Sequence, residues 1–193
     1  TRLQGDWSSD VCSSDLETFG ELTFTIYGHA IGLRDLGAAQ SPMNAFLTLL
    51  GIETLPLRMD KHCANALAVA QHLSEHDAVD WVSYAGLETD KYYALGQRYL
   101  PKGAGAVMTV GLKGGYDAGV KLVEAVELFS HLANIGDSRS LVIHPASTTH
   151  RQLTEEQLSA AGAGAEVVRL SIGIESPADI IADLDQALAR AGG

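Results

Sequence analysis

The sequence predicts an α/β fold of the α+β kind: a small, largely antiparallel sheet with helices on one face and a long helix leading into it. Three observations point there. Strand-like stretches at residues 79–84, 106–112 and 167–171 alternate with helical patterns, yet several connections between them are short. Residues 57–75 carry Met59, Cys63, Ala66, Leu67, Ala70 and Leu73 at spacings of three and four, one buried helical stripe. The chain ends on a second stripe, Ile180, Ile181, Leu184 and Leu188, opened by Ser176-Pro177.

Composition bounds the function. A length of 193 residues suffices for a domain with a real core, and 46% hydrophobic with 19% charged residues is ordinary for a globular chain. A net charge of −11 argues against nucleic acid or an anionic membrane as partner, because the electrostatic term is repulsive. No apolar run approaches the roughly 20 residues that span a bilayer, and no basic-then-apolar leader opens the chain. Cys12 and Cys63 give neither a disulfide framework nor a metal spacing, so a cytoplasmic setting is expected.

Taken in order, residues 1–16 stand apart. Trp7-Ser-Ser-Asp-Val-Cys-Ser-Ser-Asp-Leu16 repeats Ser-Ser-Asp and has almost no apolar periodicity. It resembles translated adapter or linker sequence, is expected to be disordered, and gives Cys12 no function. A helical segment is expected over residues 17–75. It starts as a loop passing into a short helix up to Ile31. Ser41-Pro42 then opens a helix with Phe46, Leu47, Leu49 and Leu50 on its apolar side, broken at Gly51. Cys63 reads as a small core residue of the long helix.

The α/β domain follows over residues 76–193. It has a strand at 79–84, a helix at 90–100 ended by Pro101, a Gly103-Ala-Gly105 turn and a strand at 106–112. Gly103-x-Gly105 precedes a strand instead of following one, so the dinucleotide fingerprint is not met. A helix at 116–131 comes next. Thr154-Glu-Glu-Gln157 has the pattern of a reciprocal cap.

The stretch from His131 to His150, followed by Val167-Val-Arg-Leu-Ser-Ile-Gly173, holds the candidate chemistry. On a strand, Val167, Arg169 and Ser171 face one way and Val168, Leu170 and Ile172 the other. Arg169 is therefore a guanidinium on a rigid element. From the residues alone it either grips a ligand carboxylate through two parallel hydrogen bonds or pairs with an acidic neighbour. Asn134 stands before a Gly-Asp turn, where it could bond its own backbone. Ser140, Ser147, Thr148 and Thr149 could line a channel or cap the strand and loop. His144 and His150 lack two further ligands at a zinc spacing and read as structural histidines.

Ala133-Asn-Ile-Gly-Asp137, Ser140-Leu-Val-Ile-His-Pro-Ala-Ser-Thr-Thr-His150 and Val168-Arg-Leu-Ser-Ile-Gly-Ile-Glu175 resemble, in that order, the pyridoxal-phosphate-dependent enzymes of Cys/Met metabolism. Gly32-Leu-Arg-Asp-Leu-Gly37, Gly51-Ile-Glu-Thr-Leu55 and Lys102-Gly-Ala-Gly-Ala106 extend the likeness from about Glu17 to the end. It covers the C-terminal part of such an enzyme. The fold it implies is the small C-terminal domain of a fold-type I transferase, with a long inter-domain helix.

The activity the resemblance implies is γ-replacement on O-acetylhomoserine, with sulfide displacing acetate to give homocysteine. A cystathionine-forming enzyme, a γ-lyase or a non-catalytic module are the alternatives. It gives Arg169 the substrate's α-carboxylate, with Asn134 as helper and Thr149 as a substrate-side hydroxyl. The implied cofactor is pyridoxal 5′-phosphate, held by a lysine in a Ser/Thr-rich motif, a glycine-rich phosphate segment and an aspartate. None of Lys61, Lys91, Lys102, Lys113 and Lys121 stands in that motif, so no catalytic residue is assigned. The chain alone is expected neither to bind the cofactor well nor to turn over. A large N-terminal domain and a homo-oligomer of the tetramer type are the implied partners.

Overall fold

The computed structural model describes residues 20–192. The adapter-like segment, Cys12 included, lies outside the described residues. By its internal contacts the chain divides into two units, Thr1–Glu53 and Thr54–Gly193.

In the first unit a 3-10 turn at Gly20–Leu22, helix α1 at Thr23–Tyr27 and a π-helical stretch at Gly28–Asp35 follow without a break. The loop expected before a short helix is thus helical from residue 20 onward. Helix α2, Pro42–Glu53, starts where Ser41-Pro42 predicts but runs through Gly51, where a break was expected. The Ser41 hydroxyl accepts from the Asn44 N–H at 3.2 Å, which satisfies one of the free amides of the first turn. Phe46, Leu47, Leu49 and Leu50 are all exposed, Phe46 by 60%.

The second unit opens with α3, Leu55–Ser74, with Pro56 in its first turn. Strand β1 (Val79–Ser83), α4 (Tyr93–Tyr99), β2 (Val107–Leu112), α5 (Gly115–Ala125), β3 (Ser130–His131) and β4 (Leu141–Ile143) follow. A 3-10 turn at Pro145–Ser147, α6 (Glu155–Ala160), β5 (Val167–Ser171) and α7 (Pro177–Ala191) complete it. The sheet order is β1-β2-β5-β4-β3. All pairings are antiparallel except β3 with β4. The register of β1 on β2 slips between Val79 and Trp81, a bulge in an edge strand.

Strand β5 is central, and its alternation sorts the molecule. Val168, Leu170 and Ile172 join Met108, Val110 and Val142 of the flanking strands in one apolar core. Ala66, Val69, Ala70 and Leu73 of α3, Leu122 of α5 and Ile180, Leu184 and Leu188 of α7 close that core. Helices thus cover one face of a small, mostly antiparallel sheet, the architecture predicted. The cap on α6 is reciprocal: Thr154 Oγ1 accepts from the Gln157 N–H at 3.3 Å, and Gln157 Oε1 accepts from the Thr154 N–H at 2.9 Å.

Three local expectations change. The helix expected over 116–131 stops at Ala125, and Val126 is already extended. The cause lies in α7, where the buried Asp183 carboxylate accepts from the N–H groups of Glu127, Leu128 and Phe129 at 2.8–3.3 Å. Those amides point at a carboxylate instead of a helical carbonyl, and the chain is released to form β3. The helix expected from residue 90 begins at Tyr93, because Asp90 accepts from the N–H groups of Tyr84 and Tyr92 and from the Ser83 hydroxyl. Cys63 is half-buried and not a core residue. Its sulfur lies against Gly103, whose positive φ turns the chain where a side chain would collide with it.

Candidate functional site

The site is built on β5 and on the two segments that meet its end. Arg169 lies in register between Thr109 of β2 and Ile143 of β4, on the sheet face opposite the core that α3, α5 and α7 close. The pleat put Val168 and Leu170 into the core and left Arg169 on the other side. It is half-buried, and among the described residues no carboxylate stands within ion-pair distance of it. A guanidinium fixed in a strand and partly stripped of water favours an anion that can enter beside it. Ser171, two residues on and on the same face, is buried with its hydroxyl oxygen unpartnered.

Asp137, an acidic side chain near the site in sequence, is already engaged. Its carboxylate accepts from the Arg139 side chain at 3.2 and 3.3 Å and from the Arg139 N–H at 3.0 Å. Those hydrogen bonds, the side-chain ones first, hold the Asp137 carboxyl below the usual range and raise Arg139 in turn.

Asn134 is exposed in the loop after β3, and its Oδ1 accepts from the Ile135 N–H at 2.9 Å. That is the local turn bond open to it from sequence, and it leaves the amide nitrogen available. Thr149 is exposed beyond the 3-10 turn, its hydroxyl 2.8 Å from His150 Nδ1. Arg169, Asn134 and Thr149 share no hydrogen bond with one another among the described residues. His144 is fully buried, with Nδ1 2.9 Å from the Ser147 hydroxyl and Nε2 2.8 Å from the Ala165 carbonyl. The Thr148 hydroxyl donates to the His144 carbonyl at 2.8 Å. Both bonds are local capping, not channel lining.

Sequence reasoning missed the groups that anchor β5. His62 and Asn65 are buried polar residues on α3. His62 Nδ1 is 2.6 Å from the Ile172 carbonyl, which can only accept, so the ring donates there. Asn65 donates to the carbonyls of Gly173 at 3.0 Å and Glu175 at 2.8 Å. Ser140 donates its N–H and its hydroxyl to the two oxygens of Glu175, at 2.7 and 3.0 Å. The signal was present: two polar residues three apart, inside an apolar helical stripe, must find partners.

A second feature is a cleft of about 380 Å³ lined by Cys63, Tyr84, Lys102 and Gly103. Tyr84 donates to the Gly105 carbonyl at 2.9 Å, and burial, with Cys63 beside it, pushes its hydroxyl up to about 12. A phenol so held is a structural donor and not an acid near neutral pH.

The described residues do not fit pyridoxal phosphate. All five lysines are exposed; Lys113 donates to the Asp77 carbonyl and Lys91 lies over Tyr92. Lys102 reaches only the open cleft beside Tyr84. A cofactor lysine needs an enclosed site with a phosphate cradle, and none of these has one.

Known proteins resemble the chain over most of its length. The chain is 50% identical over 175 residues to O-acetyl-L-homoserine sulfhydrylase of Leptospira meyeri, covering 89% of this chain and 40% of that protein. It is 48% identical to O-acetyl-L-homoserine sulfhydrylase 1 of Thermus thermophilus, over 90% of this chain and 41% of that one. An L-methionine gamma-lyase of Pseudomonas deceptionensis is 45% identical over 158 residues. The fold matches an O-acetylhomoserine (thiol)-lyase structure from Campylobacter jejuni with a TM-score of 0.80 and 42% identity, over 90% of this chain and 41% of that chain. That structure carries a pyridoxyl-lysine phosphate. The chain thus spans about two-fifths of the length of the relatives it matches. The family of Cys/Met metabolism PLP-dependent enzymes matches residues 10–189, into the last turn of α7, and the chain belongs to that family.

Proposed function

We propose that this chain supplies the substrate-carboxylate arm of a PLP-dependent γ-replacement enzyme that takes O-acetylhomoserine and sulfide to homocysteine. The observation that carries the reading is Arg169: a half-buried guanidinium on the central strand, without an ion-pair partner among the described residues. Its fork can take both oxygens of an α-carboxylate in two parallel bonds, which fixes the amino acid's orientation as well as its affinity. The Asn134 amide is the proposed second donor to the same group, and the Thr149 hydroxyl lies further out on the substrate side. The cofactor supplies the electron sink for the α-carbon when bound. We place its lysine, its phosphate cradle and its aspartate in polypeptide outside these 193 residues, in a large N-terminal domain. A tetramer and a cytoplasmic setting complete the proposal.

The relatives named for sulfhydrylase activity support replacement, and the γ-lyase relative supports elimination as a second reading. One experiment separates them. Residues 20–193 are grafted in place of the matching part of the Leptospira meyeri enzyme, and products from O-acetyl-L-homoserine are followed with and without sulfide. Homocysteine formation that depends on sulfide supports replacement. A 2-oxo acid formed equally well without sulfide supports elimination. Arg169→Ala in the graft should raise KM for the amino acid by roughly ten- to a hundredfold, the loss of one or two charge-assisted bonds. An unchanged KM overturns the carboxylate role.

A further inference from the structure

Asn134 and Arg169 reach the proposed carboxylate site from different segments, a loop and a strand, with 34 residues of chain between them. Something must hold the two in register, and the structure supplies a pair of side chains, Glu175 and Ser140, that join the segments. Glu175 takes the Ser140 N–H on Oε1 at 2.7 Å and the Ser140 hydroxyl on Oε2 at 3.0 Å. Ser140 ends the loop that carries Asn134 and leads into β4. The same Ser140 oxygen accepts from the Gly173 N–H at 2.9 Å, just past the end of β5. The Ile174 N–H donates to the Ser138 carbonyl at 2.9 Å. The backbone of residues 172–175 is held from behind by His62 and Asn65 of α3.

The fit is tight as well as bonded. A side chain at Gly173 would run into the Glu175 carboxylate and the Ser138 carbonyl. A carboxylate accepting two donors from one residue fixes that residue's direction, which a single bond does not. Neither donor is replaceable by water without opening the contact, because Ser140 is fully buried. The Glu175 carboxylate is taken up by Ser140, and among the described residues it bonds neither Arg169 nor Asn134. Its effect passes through Ser140 to the loop and through the 173–175 turn to β5.

We propose that Glu175 is a positioning residue for the carboxylate site: by gripping Ser140 it sets the Asn134 loop against the end of the strand that bears Arg169. This rests on the carboxylate reading above. The test uses the same graft, with Glu175→Ala, Glu175→Gln and Ser140→Ala beside Arg169→Ala. Glu175→Ala should raise KM for O-acetyl-L-homoserine roughly tenfold while KM for sulfide stays within about twofold. Glu175→Gln keeps one acceptor oxygen and should recover part of the loss. Ser140→Ala should follow Glu175→Ala in the same direction. A merely structural role would lower thermal stability and the yield of cofactor-loaded enzyme without separating the two KM values. If Glu175→Ala fails to fold, Glu175→Gln and Ser140→Ala decide the matter. If Arg169→Ala raises KM and the Glu175 and Ser140 variants do not, the positioning role is overturned and the carboxylate reading stands. If Arg169→Ala leaves KM unchanged, both fall.

Discussion

Arg169→Lys keeps the charge and removes the fork. A lysine ammonium is a compact point charge that cannot meet two carboxylate oxygens in one plane. In the grafted enzyme it should recover only part of the KM lost in Arg169→Ala, and steady-state kinetics reads the difference. Tyr84 makes a prediction about pH. Its folded value of about 12 lies above the ordinary 10.0, so the folded chain holds that proton more tightly than the unfolded chain. The stability this contributes is complete below about pH 10 and is lost as pH rises toward 12. Ultraviolet titration should show one tyrosine ionising late, and Tyr84→Phe should remove that step. The face on which Arg169 stands was legible because alternation on a strand assigns it without reference to anything distant. Glu175, His62 and Asn65 were not, since their partners lie 35 to 110 residues away and no local period announces them.

Among the elements, the longest departure from expectation is the end of α5. Periodicity alone carries a helix on to residue 131, because nothing between 126 and 131 is a strong breaker. The break is tertiary: Asp183, in the second turn of α7, takes three consecutive amides. Asp183→Ala should therefore cost more than an ordinary surface change, about 1–3 kcal/mol, because it strands the buried Phe129 amide and frees two partly buried ones. Urea unfolding would measure it, and hydrogen exchange should quicken at residues 127–129 first. Two helix starts with local signatures were read correctly, whereas the break expected at Gly51 is absent. Ser41-Pro42 and the Thr154–Gln157 pair state their own helix starts, and their bonds are present.

For the whole molecule, the division after Glu53 has an experimental counterpart. Residues 54–193 contain the entire sheet and its apolar core, so this piece should unfold in one cooperative thermal transition on its own. Helix α2 leaves Met43, Phe46, Leu49 and Ile52 exposed. With Leu47 and Leu50 also exposed, α2 is apolar on every side, and such a surface promotes association. The 193-residue chain should therefore elute larger than its mass in size exclusion, and the 54–193 piece should not. Equal behaviour of the two would show that α2 is not the adhesive surface.

The two borders of the sheet have a consequence for handling the protein. An open border with a long, flat row of free amides recruits foreign strands and seeds fibrils. Here β3 offers just two residues, and β1 is kinked by its slipped pairing at Trp81. Brevity protects one flank and crookedness the other. Clumping in concentrated solution should thus be amorphous and reversible, without the thioflavin signal that stacked strands produce.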